Sequence, residues 1–187
     1  MAILLVARLG RTTEEIGKGV KFYKKTRITG KGTVVIGNNT TFGIPAGGRF
    51  KSTYCELQAR YEDARIKIGE NVAINNGFTI ISAASVEIGD DTLIGRELQI
   101  SDHDGHGIMP DERRVSKGQM KPVIIGKNVW IGNNVMILKG SVIGDNCIIG
   151  ACSLVTGKYF PENAILAGNP AREIRKLVQA SSQNENR

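Results

Sequence analysis

Aliphatic residues recur every six positions along the second half of this chain, at Ile125, Ile131, Ile137, Ile143, Ile149 and Val155. Four residues after each of the first five stand Val129, Val135, Ser141, Cys147 and Ser153, all small or β-branched, and glycine follows the aliphatic residue at 126, 132, 144 and 150. A helix repeats near 3.6 residues and a plain strand near 2, so a strict six suits neither alone. It suits a coil with three flat sides, each side one short strand plus a corner. The aliphatic residue then points inward, and the Gly-Asn or Asp-Asn pairs form corners where positive φ is tolerated.

The same register appears at Ile68, Ile74, Ile80 and Val86, and a two-residue shift restarts it at Ile88, Ile94 and Ile100. A weaker copy, Ile36 and Phe42 followed by Gly37 and Gly43, predicts that the coils begin near Val34. The chain is therefore expected to comprise an entry segment (1–33), a solenoid (34–168) and a C-terminal segment (169–187). Between Ile100 and Ile125 the register breaks by one residue and the sequence is polar, which predicts an inserted loop over 101–121. Asn169 as N-cap, Pro170 at the first helical position and Glu173 in the first turn predict a C-terminal helix. Its apolar stripe would be Ile174, Leu177 and Val178, and the polar residues 181–187 would fray. In the entry segment, Thr12 or Thr13 with Glu15 predicts a short helix, and residues 20–23 a strand.

At 187 residues there is room for one domain. Aromatics make up 5% and glycines number 23, so the core must be built from Ile, Val and Leu. The apolar run at residues 3–7 is too short for a membrane span or a secretory signal. Three cysteines with no CxxC pair suggest a reduced, cytoplasmic protein. The net charge of +7 asks for an anionic partner. Nucleic acid is disfavoured, because the basic residues are scattered without interleaved aromatics; a phosphorylated small molecule needs fewer charges.

Function in a solenoid is expected where the repeat is interrupted. Here the interruption, S-D-H-D-G-H-G-I over 101–108, holds both histidines of the chain. Zinc catalysis on three histidines would need a third, so no metal is expected. The histidines could simply hydrogen-bond the loop. Otherwise one of them is a general base, taking a proton from an alcohol or amine as that group attacks a thioester.

The repeats, the histidine loop, N-V-W-I-G (128–132), G-A-x-S-x-V-T (150–156) and A-G-N-P-A-R (167–172) resemble the hexapeptide-repeat acetyltransferases. The similarity is to the sugar and surface-polysaccharide O-acetyltransferases and covers roughly residues 65–178. It implies an all-β fold, a left-handed parallel β-helix. It also implies transfer of acetyl from acetyl-CoA to a sugar hydroxyl, and a homotrimer with active sites between neighbouring solenoids. The carbohydrate acceptor would belong to a surface polysaccharide, an expectation that the segment over 43–65 also carries. The base matches His106 by the count back from Pro122, with His103 as the alternative and Asp104 to orient it. Asn75 matches the asparagine beside acceptor and thioester, with Asn76 as a fallback. Where galactoside enzymes carry a sugar-binding aspartate, this chain has Ala83.

For the donor, the resemblance assigns Trp130 to the pantetheine end, Asn133 to a donor contact and Ala151 to the pantetheine groove. Thr156, Gly157 and Lys158 match the turn at the far end of CoA, and Arg172 and Arg175 the arginines on its phosphates. Cys152 and Ser153 raise the possibility of an acyl-enzyme, but Ser153 falls at an inward repeat position, which favours direct transfer. The alternatives are an N-acetyltransferase acting on an amino-sugar nucleotide or a drug, and a non-catalytic solenoid scaffold.

Overall fold

In the computed structural model, which describes residues 6–177, the chain winds through three parallel sheets that form the faces of a prism. The first sheet has seven strands, from Val6–Gly10 to Leu154–Val155, and the second has seven, from Thr13–Ile16 to Tyr159–Phe160. The third has eight, from Lys21–Phe22 through Ala164–Gly168 to Ala171–Lys176. Each strand as far as Ala164–Gly168 pairs in parallel with its counterpart one coil away, so the repeat becomes a stack.

The six-residue pattern builds this stack directly. Ile125, Ile131, Ile137, Ile143, Ile149 and Val155 are all at most 2% exposed, and so are Val129, Val135, Ser141, Cys147 and Ser153. Aromatics enter the core towards the N-terminal end, where Phe22 stacks on Phe42 with centroids 4.8 Å apart and Phe42 meets Phe78 at 5.8 Å. At the edge between the second and third sheets, the first corner holds Gly19 at positive φ and each later one Asn or Asp: Asn39, Asn71, Asp91, Asn128, Asn146 and Asn163. Short amide side chains tolerate that conformation. They also bond along the stack, as in Asn128 Nδ2 to Asn146 Oδ1 at 2.9 Å.

Three expectations are corrected. The coils do not begin near Val34, because Val6–Gly10, Thr13–Ile16 and Lys21–Phe22 already belong to the three sheets. The entry segment 1–33 is thus solenoid from residue 6, with sparser repeats in its sequence. The short helix expected near Thr12 is the strand Thr13–Ile16, whose register with Thr33–Ile36 overrides its weak helical start. The C-terminal helix is also replaced by a strand. Gly168 at φ +105 and the cis Asn169–Pro170 bond lie where the chain reverses, and Ala171–Lys176 runs antiparallel to Ala164–Gly168. The open edge of the last coil leaves a row of backbone donors and acceptors, and satisfying them outweighs helix propensity. Val178 and the polar tail lie outside the described residues.

Two segments interrupt the coils. Residues 43–54 leave between the third and first sheets, and residues 102–122 between the first and second.

Candidate active site

The second interruption begins at Gln99–Ser101 and carries Asp102 onto the corner formed one coil earlier by Ser82, Ala83 and Ala84. Because the chain leaves the coil here, no backbone carbonyl stacks on that corner, and the fully buried Asp102 carboxylate supplies the acceptors. Its Oδ2 accepts from Ser82 Oγ at 2.7 Å and Ala84 N at 2.8 Å, and its Oδ1 from Ala83 N at 2.7 Å. The same Oδ1 lies 3.2 Å from His103 Nδ1. The position matched to a sugar-binding aspartate, Ala83, thus serves the loop through its backbone.

His103 pairs with Met120 as an isolated bridge, and its side chain is only 5% exposed. Its Nε2 lies 2.7 Å from Arg60 Nη1. A guanidinium only donates, so Nε2 accepts and the ring proton sits on Nδ1, facing Asp102 Oδ1. Neutral imidazole with a carboxylate behind it and a lone pair in front is the arrangement of a general base. His106 is different: it is exposed, with Nδ1 2.9 Å from the Arg113 carbonyl oxygen.

Asp104 does not orient His103. Its carboxylate meets Lys139 Nζ at 2.6 Å and accepts from Gln119 N at 3.1 Å. The Lys139 ammonium holds the Asp104 carboxyl below its ordinary value of 3.8. A lowered native pKa stabilises the folded loop above pH 3.8, and that stabilisation is lost as pH falls through the lowered value. Protease cutting within 105–118 is therefore expected to rise below about pH 3.8 in the wild type, with no such step in Lys139→Met.

His103 and Asp104 share a cavity of about 450 Å³ with Gln119, Lys121, Leu138, Lys139, Gly140, Thr156 and Gly157. This brings Thr156 and Gly157 to the histidine loop, with Lys158 exposed beside them.

The other predicted residues gather at the edge between the third and first sheets. A groove of about 580 Å³ takes in Asn75, Trp130, Asn133 and Ala151 together with Leu93, Ile148 and the corner glycines 95, 132 and 150. Its floor follows from strand register. Ala73, Leu93, Trp130, Ile148, Ile165 and Arg175 are successive partners across the third sheet, and all face outward. Trp130 is 59% exposed at the centre of this apolar column. Arg172 and Arg175, three apart, would point to opposite faces of a regular strand. The bulge opposite Ile165 and Leu166 brings both onto the outward face, opposite Ala167 and Ile165.

Asn75 Oδ1 accepts from Asn76 N at 2.7 Å, which leaves its NH2 to donate. Asn76 is fully buried and bonded to Ile44 N, Ile44 O and Gly48 O, so it pins residues 43–54. Asn133 Oδ1 accepts from Arg96 N at 2.9 Å. Ser153 is 2% exposed with its hydroxyl on the Gly150 carbonyl, while Cys152 is exposed at a corner.

The two groups do not meet within one chain. Asn133 and Lys139 lie at opposite ends of one first-sheet coil, six residues apart, which is about 20 Å of extended chain. Asp102, Arg60 and Lys139 were not singled out from sequence. Asp102, immediately before a histidine in a loop, was the one with a readable signal.

The family model for bacterial transferase hexapeptide (six repeats) matches residues 122–157. The putative lipopolysaccharide biosynthesis O-acetyl transferase WbbJ of Escherichia coli K12 is 34% identical over 83% of this chain and 81% of its own length. The galactoside O-acetyltransferase of the same organism is 41% identical over 61% of this chain, which spans 55% of that relative. A solved galactoside acetyltransferase in complex with coenzyme A shares 39% identity with a TM-score of 0.55, over 60% of this chain and 54% of that one.

Proposed function

The chain belongs to the hexapeptide-repeat acetyltransferases, with their left-handed parallel β-helix, and on that premise we propose that it moves an acetyl group from acetyl-CoA to a sugar hydroxyl with His103 as general base. The observation that carries the reading is the Asp102–His103 pair. A nearly sealed imidazole has its Nδ1–H on a buried carboxylate and its Nε2 lone pair on the Arg60 guanidinium, and the residue borders a cavity. His106, exposed and tied through Nδ1 to a loop carbonyl, is assigned to loop structure.

The residues fit the donor's chemistry. The apolar column of Leu93, Trp130 and Ile148 would hold an extended pantetheine arm, and Arg172 and Arg175 at its end would meet phosphates bidentately. Acetyl-CoA supplies the acyl carbon and, on leaving, a thiolate. His103 Nε2 takes the hydroxyl proton as the oxygen attacks the thioester carbonyl, and returns it to the departing sulfur. The Asn75 NH2 is the donor available to the thioester oxygen, where negative charge develops. With its hydroxyl turned inward, Ser153 is no nucleophile, which favours direct transfer.

His103 and the Asn75–Trp130 groove lie on different edges of the prism. We therefore assign the working form to a homotrimer in which the His103 edge of one copy faces the groove of its neighbour. A carbohydrate of surface polysaccharide is the acceptor, a reading that the similarity to a putative lipopolysaccharide biosynthesis O-acetyl transferase supports. Among the described residues no helix is long and apolar enough to cross a membrane. The buried free thiols of Cys55 and Cys147 suit a reducing compartment, the cytoplasm.

The test is thiol release from acetyl-CoA with a panel of saccharides and amino sugars, together with calorimetric titration by CoA. Saccharide-dependent release supports the reading, amino-sugar dependence moves it to N-acetylation, and no CoA binding ends it. Trp130→Ala is expected to weaken CoA binding about tenfold, roughly 1.4 kcal/mol, since the indole offers the largest apolar face in the groove.

A further inference from the structure

A second cavity, of about 560 Å³, lies on the edge between the first and second sheets, on the N-terminal side of His103. Arg11, Lys31 and Arg60 line it with Glu62 as the only acid, an excess of two positive charges. Neither Arg11 nor Lys31 has an ion-pair partner among the described residues. Arg60 borders both this cavity and the base. Its Nη1 lies on His103 Nε2 at 2.7 Å, and its Nε donates to Gln58 Oε1 at 2.9 Å. The loop that carries His103 is held alongside by Lys117, whose ammonium sits 4.1 Å from the centroid of Tyr61, the residue after Arg60.

A neutral sugar gives no reason to gather three cations in a cavity that Arg60 joins to the base. Nor does the donor, whose phosphates are already assigned to Arg172 and Arg175 at the end of its own apolar column, whichever copy supplies that groove. We propose that this cavity is the anion-recognising part of the acceptor site. The sugar accepting the acetyl group would carry, or be linked to, a carboxylate or a phosphate, which Arg11, Lys31 and Arg60 receive. This rests on the assignment of His103 as base and adds a latch. Without acceptor, the Arg60 guanidinium occupies the Nε2 lone pair that must take the hydroxyl proton. An anion in the cavity offers charge-assisted bonds, about twice as strong as those to a neutral partner, and draws Arg60 away. The base is thus released when a charged acceptor is seated, and water is a poor substitute.

The test uses full-length wild type, Lys31→Gln, Arg60→Gln and, as a charge-matched control on the second sheet, Lys67→Gln. Binding is read without turnover, by calorimetric titration with a glucuronate disaccharide and with inorganic pyrophosphate. These two probes separate a carboxylate acceptor from a phosphate-linked one. At least one anion is expected to bind wild type and Lys67→Gln equally, and Lys31→Gln at least tenfold more weakly, with circular dichroism unchanged. In thiol release, wild type should prefer an anionic acceptor over its neutral counterpart at least tenfold in kcat/KM. Arg60→Gln should lose that preference and gain acceptor-independent hydrolysis of acetyl-CoA. If neither anion binds wild type, or if Lys67→Gln weakens binding as much as Lys31→Gln, the proposal is overturned. Anion binding kept in His103→Ala shows the cavity to stand whatever becomes of the base, whereas turnover without anion preference removes the cavity and leaves the base.

Discussion

Replacing His103 by alanine is expected to lower kcat for acetyl transfer by roughly 10²–10⁴-fold, the range of a positioned general base, with CoA affinity unchanged. The same change at His106 should alter kcat by less than about threefold. The asymmetry follows from the two environments. His103 Nδ1 faces a buried carboxylate, so the neutral tautomer presents Nε2 and the imidazolium that forms during transfer is stabilised. His106 has its Nδ1 bound to the Arg113 carbonyl and is exposed, with no carboxylate behind it. Thiol release read against CoA titration separates the outcomes. A loss in His106→Ala alone would move the base to the outer loop and remove the role given to Asp102.

The second large effect is expected at Asp102. Asp102→Ala removes the acceptor for the Ser82 hydroxyl and the Ala83 and Ala84 amides, a site where Ser82 and Asp102 are fully buried. Stranding buried donors costs about 1–3 kcal/mol each, and breaking a buried charged network about 3–5 kcal/mol, so denaturant unfolding should report about 3–5 kcal/mol lost. The milder Asp102→Asn keeps a carbonyl oxygen for some of these bonds, and its effect should be weighted towards kinetics. The amide carries no charge to stabilise the imidazolium, so kcat should fall about tenfold to a hundredfold at unchanged KM. An Asp102→Asn variant with kcat unchanged would reduce Asp102 to a corner cap.

Much of this molecule could be read from its residues, for one physical reason. A coil whose sides repeat every six residues imposes its period on inward positions and corners alike. The inward column from Ile125 to Val155 and the interruption after Ile100 were therefore visible in the letters. The coils before Val34 were not, because Lys21–Phe22 puts phenylalanine where later coils use isoleucine, and a long insertion over 43–54 separates the first coils from the regular stack. At the C-terminus, Asn169, Pro170 and Glu173 are sound helix-opening residues, yet the exposed edge of Ala164–Gly168 offered backbone partners that no local signal records.

The candidate site divides the same way. The interruption of the repeat picked out the histidine loop, and the family resemblance picked out Trp130 and the paired arginines. Their partners were hidden because they come from other coils. Ser82 and Ala84 lie about twenty residues before Asp102, Arg60 forty-three before His103, and Lys139 thirty-five after Asp104. Sequence alone determined that the chain coils, which residues fill the prism and where the coil is broken. Only the tertiary stack decided which histidine is backed by a carboxylate, which arginine rests on it, and that His103 and the Trp130 groove occupy different edges, because stacking sets side by side residues that lie a whole coil or more apart along the chain.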